Sequence, residues 1–355
     1  MAVSVNPARS GAAEAAANRC RWDGKSAGHY EVWFLTFNQR STGRGFWFRY
    51  TIEVPHLAQD PFVTIGHSGQ LPHAELWATV FDRQHPEKNF GMVQTHAIDL
   101  FDTEKEQFKL RIEEATLTSS GASGRVENGE HTIAWDLRFT PNETTYYHVP
   151  KSLTTIVRPS SFVCSPNLDT RFSGVIYVDG EAILIDDEPG CQTHLWGSKH
   201  VDEWVWVHAN AFEKNEGTVF EGLSARPRRA GRTLAPLLSL YLRHHDEEHH
   251  FTRMRFTEQW QHELGIGYWH FAALNPRVYI KGTAQCRLKD MLQVKYVDPD
   301  GEPLYCINSE VAHLKIKILR RVHGIRWRHV ETIHAHATAH LEHAARSLDE
   351  TVRMI

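Results

Sequence analysis

The residues best suited to chemistry gather in one stretch, Pro189–Phe212, which reads PGCQTHLWGSKHVDEWVWVHANAF. His194 and Trp196 stand two apart, so on an extended strand their side chains share a face. An imidazole there can hold or pass a proton near neutral pH, and an indole beside it offers an aromatic wall. The alternative is structural, with Trp196 packed in a core and His194 hydrogen-bonded to a backbone carbonyl. Trp204, Trp206 and His208 alternate in the same way, and Asn210 and Phe212 continue the row. Such a row either lines a ligand cavity or fills an ordinary core. Asp202 and Glu203, just ahead of it, read as solvated loop carboxylates.

Two other clusters carry reactive types. His244-His245-Asp246-Glu247-Glu248-His249-His250 has the ligand types for zinc. It falls where two strands reverse, so it reads as a polar hairpin turn and no metal site is expected. Arg226, Arg228, Arg229 and Arg232 flank Pro227 and Gly231. They read as a solvated basic loop, with reception of an acidic head group as the alternative. The chain has no Gly-x-Gly-x-x-Gly after a strand, no phosphate-binding Gly-x-x-x-x-Gly-Lys-Ser/Thr, no Gly-x-Ser-x-Gly and no His-Glu-x-x-His. Nucleotide, flavin and zinc-protease chemistry are therefore not expected, and neither is a cofactor.

The elements that must position these residues are strands. Period-2 alternation runs through His29–Phe37, Gly45–Val54, Ala74–Asp82, Phe90–Leu100, Phe108–Leu117, Gly124–Glu127 and His131–Thr140. Arg171–Asp179 and Glu181–Asp186 meet at Asp179-Gly180, a favoured hairpin turn. Trp204–Phe212, Thr218–Leu223, Leu237–His244, Phe251–Thr257, Ile266–Phe271, Val278–Cys286 and Met291–Val297 follow. Leu304–Asn308, His313–Val322 and Trp327–Glu342 close the chain. Many short strands mean an all-β sandwich or barrel. Thr332–Ser347 contests this, since it is Ala-rich and repeats His336, His340 and His343 at helical spacing.

The 355 residues allow two domains, and the composition of 41% hydrophobic and 23% charged residues is that of a soluble globular chain. The net charge of −4 gives no reason to expect nucleic acid as a partner. No apolar run is long enough for a membrane-spanning helix. Five widely spaced cysteines with no Cys-x-x-Cys argue for reduced thiols and a cytoplasmic location. Residues 1–19 are rich in Ala, Ser and Gly and lack the apolar stretch of a secretory signal, so they read as a flexible tail.

The Gly-x-x-x-His-x-Trp-Gly element at Gly190–Gly197, followed by Trp-x-Trp-x-x-x-Asn-x-Phe at Trp204–Phe212, resembles the junction segment of a known family. That family includes the carotenoid 1,2-hydratases (hydroxyneurosporene synthases), the plant tocopherol cyclases and AttH-like bacterial proteins. Gly45–Tyr50 (GFWFRY), the Phe172–Gly180 hairpin, Ala312–Leu319 (AHLKIKIL) and Thr338–Glu342 (TAHLE) extend the likeness over roughly residues 28–346. The resemblance implies two tandem lipocalin-like (calycin-type) β-barrels, which tips Thr332–Ser347 to strand. It implies a tail over 1–25, a first barrel over 26–200 and a second over 201–355. It also implies an apolar isoprenoid- or lipid-like ligand, and places His194 and Trp196 at a reaction centre where a double bond is protonated without metal or organic cofactor.

One departure bears on the reaction. The hydratases carry a Tyr-x-Asp pair beyond His-x-Trp, and the matching stretch here, Thr218–Leu223, reads TVFEGL. Its one carboxylate, Glu221, is offset by one position, which on a strand turns it to the opposite face. The pairs Tyr177/Asp179 and Tyr296/Asp298 lead into turns elsewhere. Two functions follow: a cofactor-free hydratase, cyclase or isomerase, or a non-catalytic carrier of a hydrophobic metabolite.

Overall fold

The structure, a computed structural model, describes residues 15–56, 71–104, 107–149, 159–229, 232–253 and 262–355. The tail up to residue 14, and the expected strand Phe251–Thr257 beyond Arg253, lie outside these. Residues 15–18 form a single helical turn. Strands joined by loops and three short 3-10 turns make up the rest of the described residues.

The first half supplies β1 (His29–Gln39), β2 (Arg44–Val54), β3 (His73–Asp82), β4 (Phe90–Ala97), β5 (Phe101–Glu104) and β6 (Lys109–Ile112). It continues with β7 (Ala115–Thr118), β8 (Gly121–Glu127), β9 (Thr132–Phe139), β10 (Tyr146–Tyr147), β11 (Ser161–Val178) and β12 (Glu181–Gly197). The second half supplies β13 (Glu203–Ala209), β14 (Val219–Arg226), β15 (Arg228–Arg229), β16 (Arg232–Thr233), β17 (Leu237–His244) and β18 (Glu247–Arg253). It ends with β19 (His262–Gly265), β20 (Tyr268–Leu274), β21 (Val278–Gln285), β22 (Leu292–Val297), β23 (Pro303–His323) and β24 (Arg326–Ala345).

The chain is an all-β protein of two lipocalin-like barrels. The first sheet runs β4-β3-β2-β1-β12-β11-β9-β8-β7-β6-β5 and curls until β3 and β4 lie against β8. The second runs β18-β17-β14-β13-β24-β23-β21-β20-β19. The centres of the two orders correspond: β3-β2-β1-β12-β11 repeats as β17-β14-β13-β24-β23. Each barrel encloses its own apolar core, one around Phe37, Phe48 and Trp135, the other around Phe220, Trp269 and Phe271.

Burial explains which strands alternate in sequence and which do not. β6 on the rim of the first sheet alternates exposed and buried residues, whereas nearly every residue of β1 and β2 is buried. One face of β1 and β2 lines a barrel and the other packs on the second barrel. The Ala-rich end of the chain is strand, because β24 places Ile333, Ala335, Ala339 and Leu341 in the second core. Tertiary burial overrides alanine's helical preference there.

Where the strands differ from expectation, the deviation is informative. Phe108–Leu117 is two strands, broken at Glu113 with a positive φ of 54°. Leu304–Asn308 and His313–Val322 are one strand, β23, whose pairing with β24 shifts between Ser309 and Ala312. β11 begins ten residues before the expected Arg171 and shifts its pairing twice between Cys164 and Thr170. In both strands a polar run hides the alternation, and the bulge aims that run outward from its barrel.

The glycines of the Gly-x-x-x-His-x-Trp-Gly element are required by close backbone approach. A Cβ on Gly190 would lie 2.2 Å from the Thr36 carbonyl oxygen, and one on Gly197 would lie 2.1 Å from that of Ser160. Gly190→Ala is expected to cost about 2 kcal/mol of stability, the usual penalty for forcing apart packed backbone. Denaturant unfolding with an unchanged midpoint would contradict this.

Candidate functional site

The outer faces of the two barrels meet along β1, β2 and β12 on one side and β13, β22, β23 and β24 on the other. Tyr30, Val32, Phe34, Trp47, Trp77 and Cys191 pack there against Trp206, Val294, Tyr296, Leu304, Cys306 and Ala344 as one apolar cluster. Phe34 meets Trp206 edge-on, with ring centroids 5.6 Å apart. Set into this dry layer are several ionisable side chains that neither barrel core contains.

At its centre is Glu221, fully buried. His148 Nε2 and Trp206 Nε1 donate to its Oε1 at 3.0 and 2.8 Å, Ser165 Oγ does so at 3.4 Å, and His208 Nδ1 donates to Oε2 at 2.9 Å. Burial pushes this carboxyl up, but the hydrogen bonds from His148 and His208 outweigh it and hold the group at about 2. Glu221 is therefore a carboxylate. Next to it, Thr36 Oγ1 and His340 Nδ1 both donate to Glu310 Oε2. The rings of His208 and His340 lie nearly parallel with centroids 5.6 Å apart.

Two groups in the layer are poised differently. Burial pushes His340 below the ordinary imidazole range, so its ring is neutral. With Nδ1–H given to Glu310, the tautomer leaves a lone pair on Nε2, which has no partner among the described residues. Burial pushes Glu342 the other way, up to about 7, with the charge of Glu310 adding to the effect. Among the described residues its carboxyl accepts one hydrogen bond, a long one from Trp204 Nε1 at 3.4 Å.

The structure brings most of the expected row together. Trp204, Trp206, His208 and Asn210 all face this layer from β13, while Val205, Val207 and Ala209 turn into the second core. Asn210 ties the barrels directly, donating to Asp169 Oδ1 at 2.8 Å and to the Gly190 carbonyl at 2.9 Å. His194 and Trp196 are placed elsewhere, on the face of β12 that looks into the first barrel. His194 Nδ1 donates to the Ala17 carbonyl at 2.7 Å and Nε2 bonds Glu31 Oε1 at 2.8 Å. Its ring stacks on Trp33. Trp196 stacks on Phe162 at 5.5 Å and carries the Arg21 guanidinium 4.9 Å over its ring. The second barrel repeats the pair: His343 Nε2 lies 3.3 Å from Glu203 Oε1, at the strand positions that His194 and Glu31 occupy in the first.

Glu221 is not on the opposite face, as its offset suggested. β14 pairs Glu221 directly with His208, and residues directly opposite in a sheet share a face. Asp202 is not solvated either, being buried against Arg228 Nε at 3.0 Å. Asp298 lies buried between His200 and Arg346. His148, Glu310, His340 and Glu342 were not among the expected site residues, and His340 figured only in the helical spacing of Thr332–Ser347. The available signal was the alternation of Ala335, Ala337, Ala339 and Leu341 with polar residues, which puts His340 and Glu342 on one face.

A groove of about 400 Å³ borders the layer, lined by Asn38, Gln39, Arg40, Thr42, Arg83, His336 and Thr338 among others. Asn38 and Thr338 stand two residues along their strands from Thr36 and His340, on the same faces. None of the five cysteines forms a disulfide, and no helix of the described residues is long and apolar enough to cross a membrane.

A family profile described as tocopherol cyclase-like matches residues 27–344. Two proteins of Mycobacterium tuberculosis, from strains CDC 1551 and H37Rv and both uncharacterized, are 25% identical over 329 residues, covering 89% of this chain and 87% of their own. Among solved structures, an AttH protein of Nitrosomonas europaea aligns with a TM-score of 0.49 at 11% identity, covering 90% of this chain and 93% of its own. Kievitone hydratase of Nectria haematococca aligns at 0.47 with 9% identity, covering 89% and 88%.

Proposed function

The chain belongs to the tocopherol cyclase-like family, and from that premise we propose that its inter-barrel layer binds an apolar, unsaturated isoprenoid- or lipid-like molecule and transfers a proton on it without a cofactor. One observation carries this reading. His340 and Glu342, two apart on β24, share a face roughly 7 Å apart along the strand, and burial pushes the imidazole down and the carboxyl up. A pair pushed apart in this way is the arrangement acid–base catalysis needs.

Glu342, pushed up to about 7 so that a large share of it keeps its proton at neutral pH, is the acid that delivers a proton to a double bond. The carbocation that forms is faced by the indoles of Trp204 and Trp206 and by the fixed negative charge of Glu221. The Nε2 lone pair of His340 then takes a proton, from an adjacent carbon in an isomerisation or from an attacking water or hydroxyl in a hydration or cyclisation. Proton gain and loss balance, which is why no cofactor is required. A carrier would have no use for opposed acid and base in its binding layer.

In this reading the units 26–200 and 201–355 are two domains with the site at their junction, and five cysteines without a disulfide among them fit a reducing, cytoplasmic setting. His194 and Trp196 hold residues 15–22 across the mouth of the first barrel. His194→Gln is then expected to leave proton transfer intact while making the Arg19–Arg21 bonds cleavable by trypsin. Lost turnover with an unchanged cleavage pattern would return His194 to the reaction centre.

The test of the main reading starts with mass spectrometry of the apolar compound that co-purifies with the protein. Incubated with the protein in D₂O, that compound should take up deuterium at an alkene-derived carbon. His340→Gln and Glu342→Gln should each slow uptake by about 10²–10⁴-fold, the usual range for a general acid or base. Uptake at the wild-type rate in both variants would refute the assignment.

A further inference from the structure

We infer that His244, His245 and Glu331 form a site for a divalent transition-metal ion of the zinc type at the end of the second barrel. His244 ends β17, and the turn that follows holds His245 and Asp246 at φ of 50° and 60°. Glu331 arrives from β24, 86 residues after His245 along the chain. His244 Nε2 lies 3.0 Å and His245 Nε2 3.3 Å from the same carboxylate oxygen, Glu331 Oε2. All three donor atoms lie within 4.8 Å of one another. Zinc bonds of about 2.0–2.2 Å set tetrahedral donor atoms about 3.4 Å apart, close to the two His–Glu331 separations.

The atoms behind the donors are arranged as metal ligands require. His244 Nδ1 lies 2.9 Å from Thr218 Oγ1, a hydroxyl that can accept Nδ1–H once an ion takes Nε2 in place of its hydrogen bond to Glu331. Asn215 Nδ2 donates to the other oxygen of Glu331 at 2.7 Å, fixing the carboxylate's rotation. His244 is buried and its orientation is set by packing, whereas the His245 side chain is 66% exposed. The outer side is thus open to water as a further ligand. Two imidazoles and one carboxylate favour zinc, nickel, copper or iron over calcium or magnesium, which take oxygen ligands. The ion would clip the β17–β18 hairpin to β24.

Within 244–250 alone the residues make a polar turn, and the proposed site draws its third ligand from outside that stretch. In the fold His249 turns to Glu247, at 3.5 Å, and the third ligand is recruited from a distant strand.

The test uses the full chain stripped with a chelator and titrated with Zn²⁺ by calorimetry, and with Co²⁺ for its visible absorption. One equivalent is expected to bind and to raise the melting temperature. His245→Ala, chosen because an exposed side chain can be removed without unfolding the protein, and Glu331→Gln should each weaken binding by at least about tenfold. His270→Ala, on the exposed side of β20, is the control for the chain's many other histidines and should bind normally. Absence of stoichiometric binding, or wild-type affinity in either His245→Ala or Glu331→Gln, would overturn the site.

Discussion

Glu221→Gln is expected to cost about 3–5 kcal/mol at neutral pH, the range for removing one partner of a buried ion pair. The amide can accept from one neighbour but turns an NH₂ toward the others, and His148, His208 and Trp206 are all donors to this group. The sign of the pH dependence follows from the depressed carboxyl. Its folded value of about 2 lies below the ordinary 4.5, so its contribution is fully present above pH 4.5 and is lost as pH falls through 2. A shift of that size corresponds to about 3 kcal/mol. Glu31, held at about 2 against burial by His194 and His29, loses its contribution over the same window. Thermal melts of wild type and variant from pH 7 to pH 2 should therefore converge as acid is added. A constant gap down to pH 2, or no gap at pH 7, would remove Glu221 from the centre of the layer.

Glu342→Gln should act in the opposite direction. Here the folded value, about 7, lies above 4.5, so the folded state binds an extra proton between these limits. The wild type accordingly loses stability as pH rises from 4.5 to 7, by about 3 kcal/mol once the group is fully ionised. Glutamine keeps the shape, can still accept from Trp204 Nε1, and never ionises. The variant should match the wild type near pH 4 and exceed it by up to about 3 kcal/mol at pH 8–9, while proton transfer falls by about 10²–10⁴-fold. A residue whose loss stabilises the fold and abolishes the reaction is one retained for chemistry rather than for packing. Equal stability of the two proteins at pH 8 would show that Glu342 is an ordinary ionised carboxylate, and the acid would have to be sought elsewhere.

These two glutamates also mark how far the residues could be read without the fold. Local alternation located most strands, because a side chain's face on a strand depends only on its position parity. The same parity placed Trp204, Trp206 and His208 on one face and separated them from Val205 and Val207, and the structure agrees. It could not say which strands would be neighbours. Glu221 was misjudged because its face was compared with a distant motif instead of with His208, its partner across β13 and β14.

Class and strand content are local properties, set by β-branched and aromatic residues, by turn glycines and by the two-residue period, and the chain alone determined them. The junction motif added the close-packed glycines Gly190 and Gly197, which mark where strand backbones nearly touch. What only the tertiary structure decided is which polar side chains lose water together. Glu221 meets His148 across 73 residues, Glu310 meets Thr36 across 274, and Glu331 meets His245 across 86. A carboxyl's proton affinity depends on what replaces its water, and that replacement comes from two outer barrel faces closing on one another.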